Sequence, residues 1–120
     1  MSDDSGQTFT SRGVISANQI DAGQFGYNTY LVASPDVCGY GLCWLTRDMF
    51  RSTNGGLTFT SISLTHGRLL TPVASINPKQ KVHSDHQAFA FEPGSGSTFY
   101  AGSDGGLWKT TNSGSIFYFA

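Results

Sequence analysis

Glutamate is nearly missing from this chain of 120 residues: Glu92 is its one occurrence, beside three lysines and four arginines. Charged residues make up 12% of the total, about half of the roughly 25% found in an average soluble domain. Exposed helix surfaces draw on those side chains, so their scarcity speaks against a helical fold. The formal net charge is −1, which leaves no basic footprint for nucleic acid. No apolar run approaches the roughly 18 residues that a membrane-spanning helix needs. The opening residues, Met1-Ser2-Asp3-Asp4, carry neither a basic nor an apolar stretch, so no secretory leader is visible. Two cysteines, Cys38 and Cys43, are too few for a disulfide framework and do not form a zinc pattern.

What is plentiful points the other way. Glycine and serine each occur 15 times, threonine 12 times, and aromatics make up 13%. That mixture favours short strands joined by tight turns, an all-β fold.

The chain repeats itself. Ser2-Asp3-Asp4-Ser5-Gly6-Gln7-Thr8-Phe9 reads S-x-D-x-G-x-T-F, and Ser52-Thr53-Asn54-Gly55-Gly56-Leu57-Thr58-Phe59 reads S-x-N-x-G-x-T-F. A degenerate third copy is Thr110-Thr111-Asn112-Ser113-Gly114-Ser115-Ile116-Phe117. The copies are offset by 50 and 58 residues, periods typical of solenoids or propellers. Each copy has a mechanical reading as a stapled hairpin tip. Asp4, Asn54 or Asn112 is expected to bond backbone two residues on, and Gly6, Gly56 or Gly114 to supply a positive φ. The hydroxyl of Ser2, Ser52 or Thr110 braces the turn, and Phe9, Phe59 or Phe117 anchors the returning strand in a core. In this reading the carboxylate or amide is structural.

Strands fall around each tip: 27–33, 42–45, 49–52 and 57–62, then 87–91, 98–102, 107–110 and 115–119. A repeated four-stranded meander is the unit of a propeller blade. The expected organisation is a single region, 1–120: the end of one blade at 1–11, full blades at 24–62 and 86–120, and a long connection at 63–85.

The three copies resemble the Asp-box, or BNR repeat, of a β-propeller superfamily that includes sialidases, xyloglucan-cleaving glycoside hydrolases, sortilin-type receptors and photosystem assembly factors. The stretch from Phe99 to Gly114 is similar to the family's usual sequence almost throughout. The resemblance implies about two and a half blades of an incomplete propeller. Closure takes typically about 4 to 8 blades. The expectation is therefore a piece of a larger propeller, or a short chain that closes by assembling further copies. The resemblance also implies a ligand site at the channel mouth, for carbohydrate or protein, and an extracellular, periplasmic or cell-envelope location. It implies no cofactor.

Chemistry-bearing residues gather in the connections assigned to that mouth. His83-Ser84-Asp85-His86 is the most loaded tetrapeptide, and the loops Thr46-Arg47-Asp48 and Ser103-Asp104-Gly105-Gly106 join it. Three readings compete for it: a structural brace, a polar ligand or glycan site built on His83, His86 and Arg47, or a metal site. His83 and Asp85 could share an ion. Asp85 and His86, adjacent on an extended strand, would point to opposite faces. Glycoside cleavage takes two carboxyl groups flanking the scissile bond. Asp48, Asp85 and Asp104 could supply such a pair, more in the manner of the xyloglucan-cleaving members than of sialidases. Catalysis is not expected from these blades alone, because a mouth site draws on several. The alternative function is a non-catalytic binding or scaffold propeller. Trp44, Trp108, Phe50, Phe89, Phe91, Phe99 and Phe117 read as core, while Tyr27, Tyr30 and Tyr40 sit nearer loops. Cys38 and Cys43 flank a Gly-rich loop that could close a small disulfide if their Cα atoms come within about 7 Å.

Overall fold

The computed structural model describes residues 2, 4–13, 30–36, 42–45, 48–63, 82–83 and 85–120. Among them the chain is all-β: eight antiparallel strands and no helix. The first sheet comprises β1 (Tyr30–Val32), β2 (Leu42–Leu45), β3 (Met49–Ser52) and β4 (Thr60–Ser61), in that spatial order. The second comprises β5 (His86–Phe91), β6 (Phe99–Ser103), β7 (Gly106–Thr110) and β8 (Tyr118–Phe119), again in order. Each sheet is thus a simple meander whose strands overlap the expected runs; the first covers 30–32 of the expected 27–33, and 27–29 lie outside the described residues.

The last strand of each sheet is shorter than its sequence suggested. β4 begins at Thr60 rather than Leu57, and β8 at Tyr118 rather than Ser115. The cause lies in the corners that precede them. Ser52 Oγ accepts from Gly56 N at 2.8 Å and donates to Asn54 Oδ1 at 3.0 Å. Asn54 Oδ1 then accepts from Thr58 N at 2.9 Å. A backbone amide bonded to a side chain cannot also join a ladder, so the first part of the returning segment belongs to the corner. The same bonds recur in the other copies. Ser2 Oγ accepts from Gly6 N at 2.8 Å, and Asp4 Oδ1 from Thr8 N at 2.9 Å. Thr110 Oγ1 accepts from Gly114 N at 3.0 Å, and Asn112 Oδ1 from Ile116 N at 2.9 Å. The Asp or Asn side chain therefore reaches four residues on, not two. Gly56 and Gly114 take φ of 82° and 84°, the left-handed backbone the turn requires.

The two sheets, with the residues that flank their last strands, share one core. Met49 and Ile62 from the first pack with Phe99, Ala101 and Phe117 from the second, and with Val82 from the segment that precedes it. Period-two alternation selects the side chains that meet. Phe89 and Phe91 turn inward while Ala88 and Ala90 stay exposed. The Phe99 ring stacks on Phe89 at 4.7 Å and meets Phe117 edge-on at 5.9 Å. Trp108 and Thr110 face this core, so Leu107 and Lys109 face away from it. Removing a buried Phe such as Phe99 or Phe117 from such a core costs about 3–5 kcal/mol.

The aromatic of the first copy behaves differently. Phe9 is 77% exposed, whereas Phe117 is 5% exposed and Phe59 is half-buried. The expectation that Phe9 anchors a core is corrected: among the described residues no strand lies in the first corner and the ring is exposed.

Candidate functional site

Loops at one end of the second sheet hold His83, Asp85, His86 and Asp104, whereas Asp48 belongs to the first sheet. β5 starts at His86, one residue before the expected strand. His86 pairs with Ser103 and Ala88 with Gly102, so Gln87 bulges from the ladder. A bulge re-aims side chains, and here it directs Gln87 toward the 103–106 turn. Gln87 Nε2 donates to Asp104 Oδ1 at 2.5 Å, and both residues are exposed. Gln87 carried no chemical weight in the sequence. Its role depends on the bulge, which no residue type announces.

The extended backbone assumed for Asp85 beside His86 is not found. Asp85 has φ of 61°, so the chain turns sharply just before the strand. Asp tolerates this region better than most residues, at a cost of order 1–3 kcal/mol. Asp85 is half-buried, and its Oδ1 has no hydrogen-bond partner among the described residues. His86 is fully buried, and neither ring nitrogen has a hydrogen-bond partner among them. Burial, reinforced by the nearby His83, lowers the His86 pKa to about 4, so the ring is neutral at physiological pH.

His83 is exposed and packs over Gly105, where a Cβ would collide with the imidazole. The segment entering the second sheet and the β6–β7 turn thus share one end of that sheet. Asp48 is half-buried just before β3, and Met49 N donates to Ser63 Oγ at 2.7 Å, which ties the exit of the first sheet to the first residue of β3. Arg47 lies outside the described residues, as do Cys38, Tyr27 and Tyr40, so the suggested Cys38–Cys43 disulfide is not placed. No three or more His, Cys, Asp or Glu side chains converge as metal ligands among the described residues. Tyr30 is exposed.

At the opposite end the sheets are linked by loop contacts. Asp36 Oδ2 accepts from Gly96 N at 2.6 Å, and Oδ1 accepts from Ser34 Oγ at 2.6 Å. These bonds, that to Ser34 foremost, hold the Asp36 carboxyl below its usual pKa. On the same principle the first corner, chiefly through Thr8, lowers Asp4 to about 2. Both carboxylates are scaffolding.

Comparison with known protein-family models, curated proteins and solved structures yields no match to this chain.

Proposed function

We propose that the chain forms adjoining sheets of an Asp-box β-propeller, and that the end carrying His83, Gln87 and Asp104 recognises a polar ligand, carbohydrate being the class its chemistry fits. The propeller reading is supported by three corners built from one hydrogen-bond pattern and by meander sheets that pack in sequence order. The ligand reading is carried by the exposed Gln87–Asp104 pair. An amide beside a carboxylate offers fixed donors and acceptors for sugar hydroxyls, and His83 extends the row.

Recognition is favoured over cleavage, because Asp104 already accepts a hydrogen bond from Gln87. A hydrolytic reading rests on Asp85, whose strained backbone and unpartnered buried oxygen have the character of a functional carboxyl. An oligosaccharide titration followed by NMR tests the proposal, using β-glucan, xyloglucan and sialylated fragments. Saturable shifts of the Gln87 side-chain amide and of the Asp104 and His83 resonances are expected, the last two weakened in Gln87→Ala. Unmoved resonances at Gln87, Asp104 and His83 across all three classes contradict it. Release of reducing sugar that disappears in Asp85→Asn would move the assignment to hydrolysis.

A further inference from the structure

The chain contains one Asn-Gly step, Asn54-Gly55, and it lies in the second corner. An asparagine side chain and the next backbone nitrogen can close a succinimide ring, and glycine, lacking a Cβ, obstructs that approach least. Asn54 is exposed, and Gly55 N donates no hydrogen bond among the described residues. The third corner also exposes its asparagine, Asn112, but differs in the nitrogen that follows. Asn112 precedes Ser113, and Ser113 N donates to Ser97 O at 2.9 Å. A nitrogen held in that bond is a poor nucleophile.

The corner also decides which product it can hold. Asn54 Oδ1 accepts from Thr58 N at 2.9 Å and from Ser52 Oγ at 3.0 Å, and Nδ2 donates to Thr58 Oγ1 at 2.8 Å. The first corner has a carboxylate in this place. Asp4 Oδ1 accepts from Thr8 N at 2.9 Å and from Ser2 Oγ at 2.8 Å, and Oδ2 accepts from Thr8 Oγ1 at 2.5 Å. The threonine hydroxyl alone changes role, from acceptor to donor, as its rotating proton allows. An aspartate at position 54 therefore keeps every bond of the Asn54 side chain. An isoaspartate does not, because its main chain runs through the former side chain. The carbonyl that accepts from Leu57 N becomes a free carboxylate, and Gly56 N is moved off Ser52 Oγ.

We propose that Asn54 is a site of spontaneous deamidation, reacting ahead of Asn112, and that the folded corner keeps the aspartyl product and rejects the isoaspartyl one. Gly55 N attacks Asn54 Cγ. The Cγ–Nδ2 bond breaks, and Nδ2 leaves as ammonia with the Gly55 amide proton. Water then opens the succinimide. Addition at Cγ gives aspartate, and addition at the backbone carbonyl carbon gives isoaspartate. In either case the ring nitrogen takes a proton from water and is again an amide N–H. The carboxamide must first leave its bonds to Thr58, so local opening of the corner gates the reaction. The modification is independent of any bound ligand.

The experiment incubates the folded 120-residue chain at mildly alkaline pH and digests it at acidic pH. Mass spectrometry follows each peptide, and chromatography separates aspartyl from isoaspartyl forms. The peptide holding Asn54 is expected to gain the mass of an amide-to-carboxyl exchange before the one holding Asn112. Gly55→Ser copies Ser113, which shares the left-handed backbone, and should slow that gain. Thr58→Val frees Nδ2 and should hasten it. Ser113→Gly removes the Cβ after Asn112 but keeps the bond to Ser97 O, so Asn112 should remain the slower site. Asn54→Asp is expected to leave the urea midpoint unchanged, while isoaspartyl chains unfold at lower urea. An Asn54 that keeps its amide, or an Asn112 that reacts as fast, overturns the site. An isoaspartyl chain as stable as the unaltered one, or a lowered midpoint in Asn54→Asp, overturns the selectivity of the corner.

Discussion

Arg51 in β3 donates its guanidinium Nη1 to the backbone carbonyl of Ser113, 62 residues further along the chain. Ser113 has φ of 57°, one step before the left-handed Gly114. The left-handed pair turns this carbonyl outward from the corner, where a cation from the neighbouring sheet meets it. The bond joins two copies of the repeat through backbone, so it depends on the shape of the corner rather than on the identity of residue 113.

Replacing Arg51 by Met keeps the aliphatic stem and deletes the donor. Stability is expected to fall by about 1–3 kcal/mol, the range for a hydrogen bond with a charged donor. Urea denaturation followed by Trp fluorescence reads it. An unchanged midpoint would show that the contact contributes nothing.

Ser113→Gly should act oppositely. A left-handed L-residue costs roughly 1–2 kcal/mol, part of which glycine returns as unfolded-state entropy. A gain of up to about 1 kcal/mol is expected, with Arg51 still bonded to the carbonyl. Ser113→Val should destabilise, since a β-branched residue tolerates that φ poorly.

The corner hydroxyls can be tested alone. Thr110→Val removes one oxygen from a buried position and leaves Gly114 N without its acceptor. A loss of about 1–3 kcal/mol is expected, against a small change for Thr110→Ser. Unchanged stability in Thr110→Val would show that the hydroxyl contributes nothing to the corner.

His86 gives the fold an acid limit. Its folded pKa of about 4 lies below the ordinary 6.5, so the unfolded chain takes up a proton there before the folded one does. This contribution to stability is complete above pH 6.5 and is lost as pH falls from there toward 4, up to about 3 kcal/mol. Asp4 adds a loss at still lower pH: its stabilisation is present above the ordinary carboxylate value of 3.8 and declines toward 2. His86→Phe should flatten the stability profile between pH 4 and 6.5. A profile identical to that of the unaltered chain would contradict the assignment.

The sequence was most informative where structure is local. Ser52, Asn54, Gly56 and Thr58 specify their corner by chemistry within seven residues, and the strands on either side follow from turn signals and β-branched runs. It was least informative where burial depends on distant chain. Phe9 and Phe117 occupy the same motif position, yet one is exposed and the other lies under a neighbouring sheet. The His83–His86 cluster was visible as chemistry, but its geometry was not. The left-handed Asp85 and the bulge at Gln87 break the alternation that an extended strand would impose.

The stacking of successive corners is best tested by proton NOEs in the isotope-labelled chain. The Ile62 methyl groups are expected to show strong NOEs to the Gly114 Hα protons, and Gly13 Hα to Leu57. Absence of both sets from a folded spectrum, with Ile62 in contact with other residues instead, would contradict the contact between successive corners on which the shared core rests.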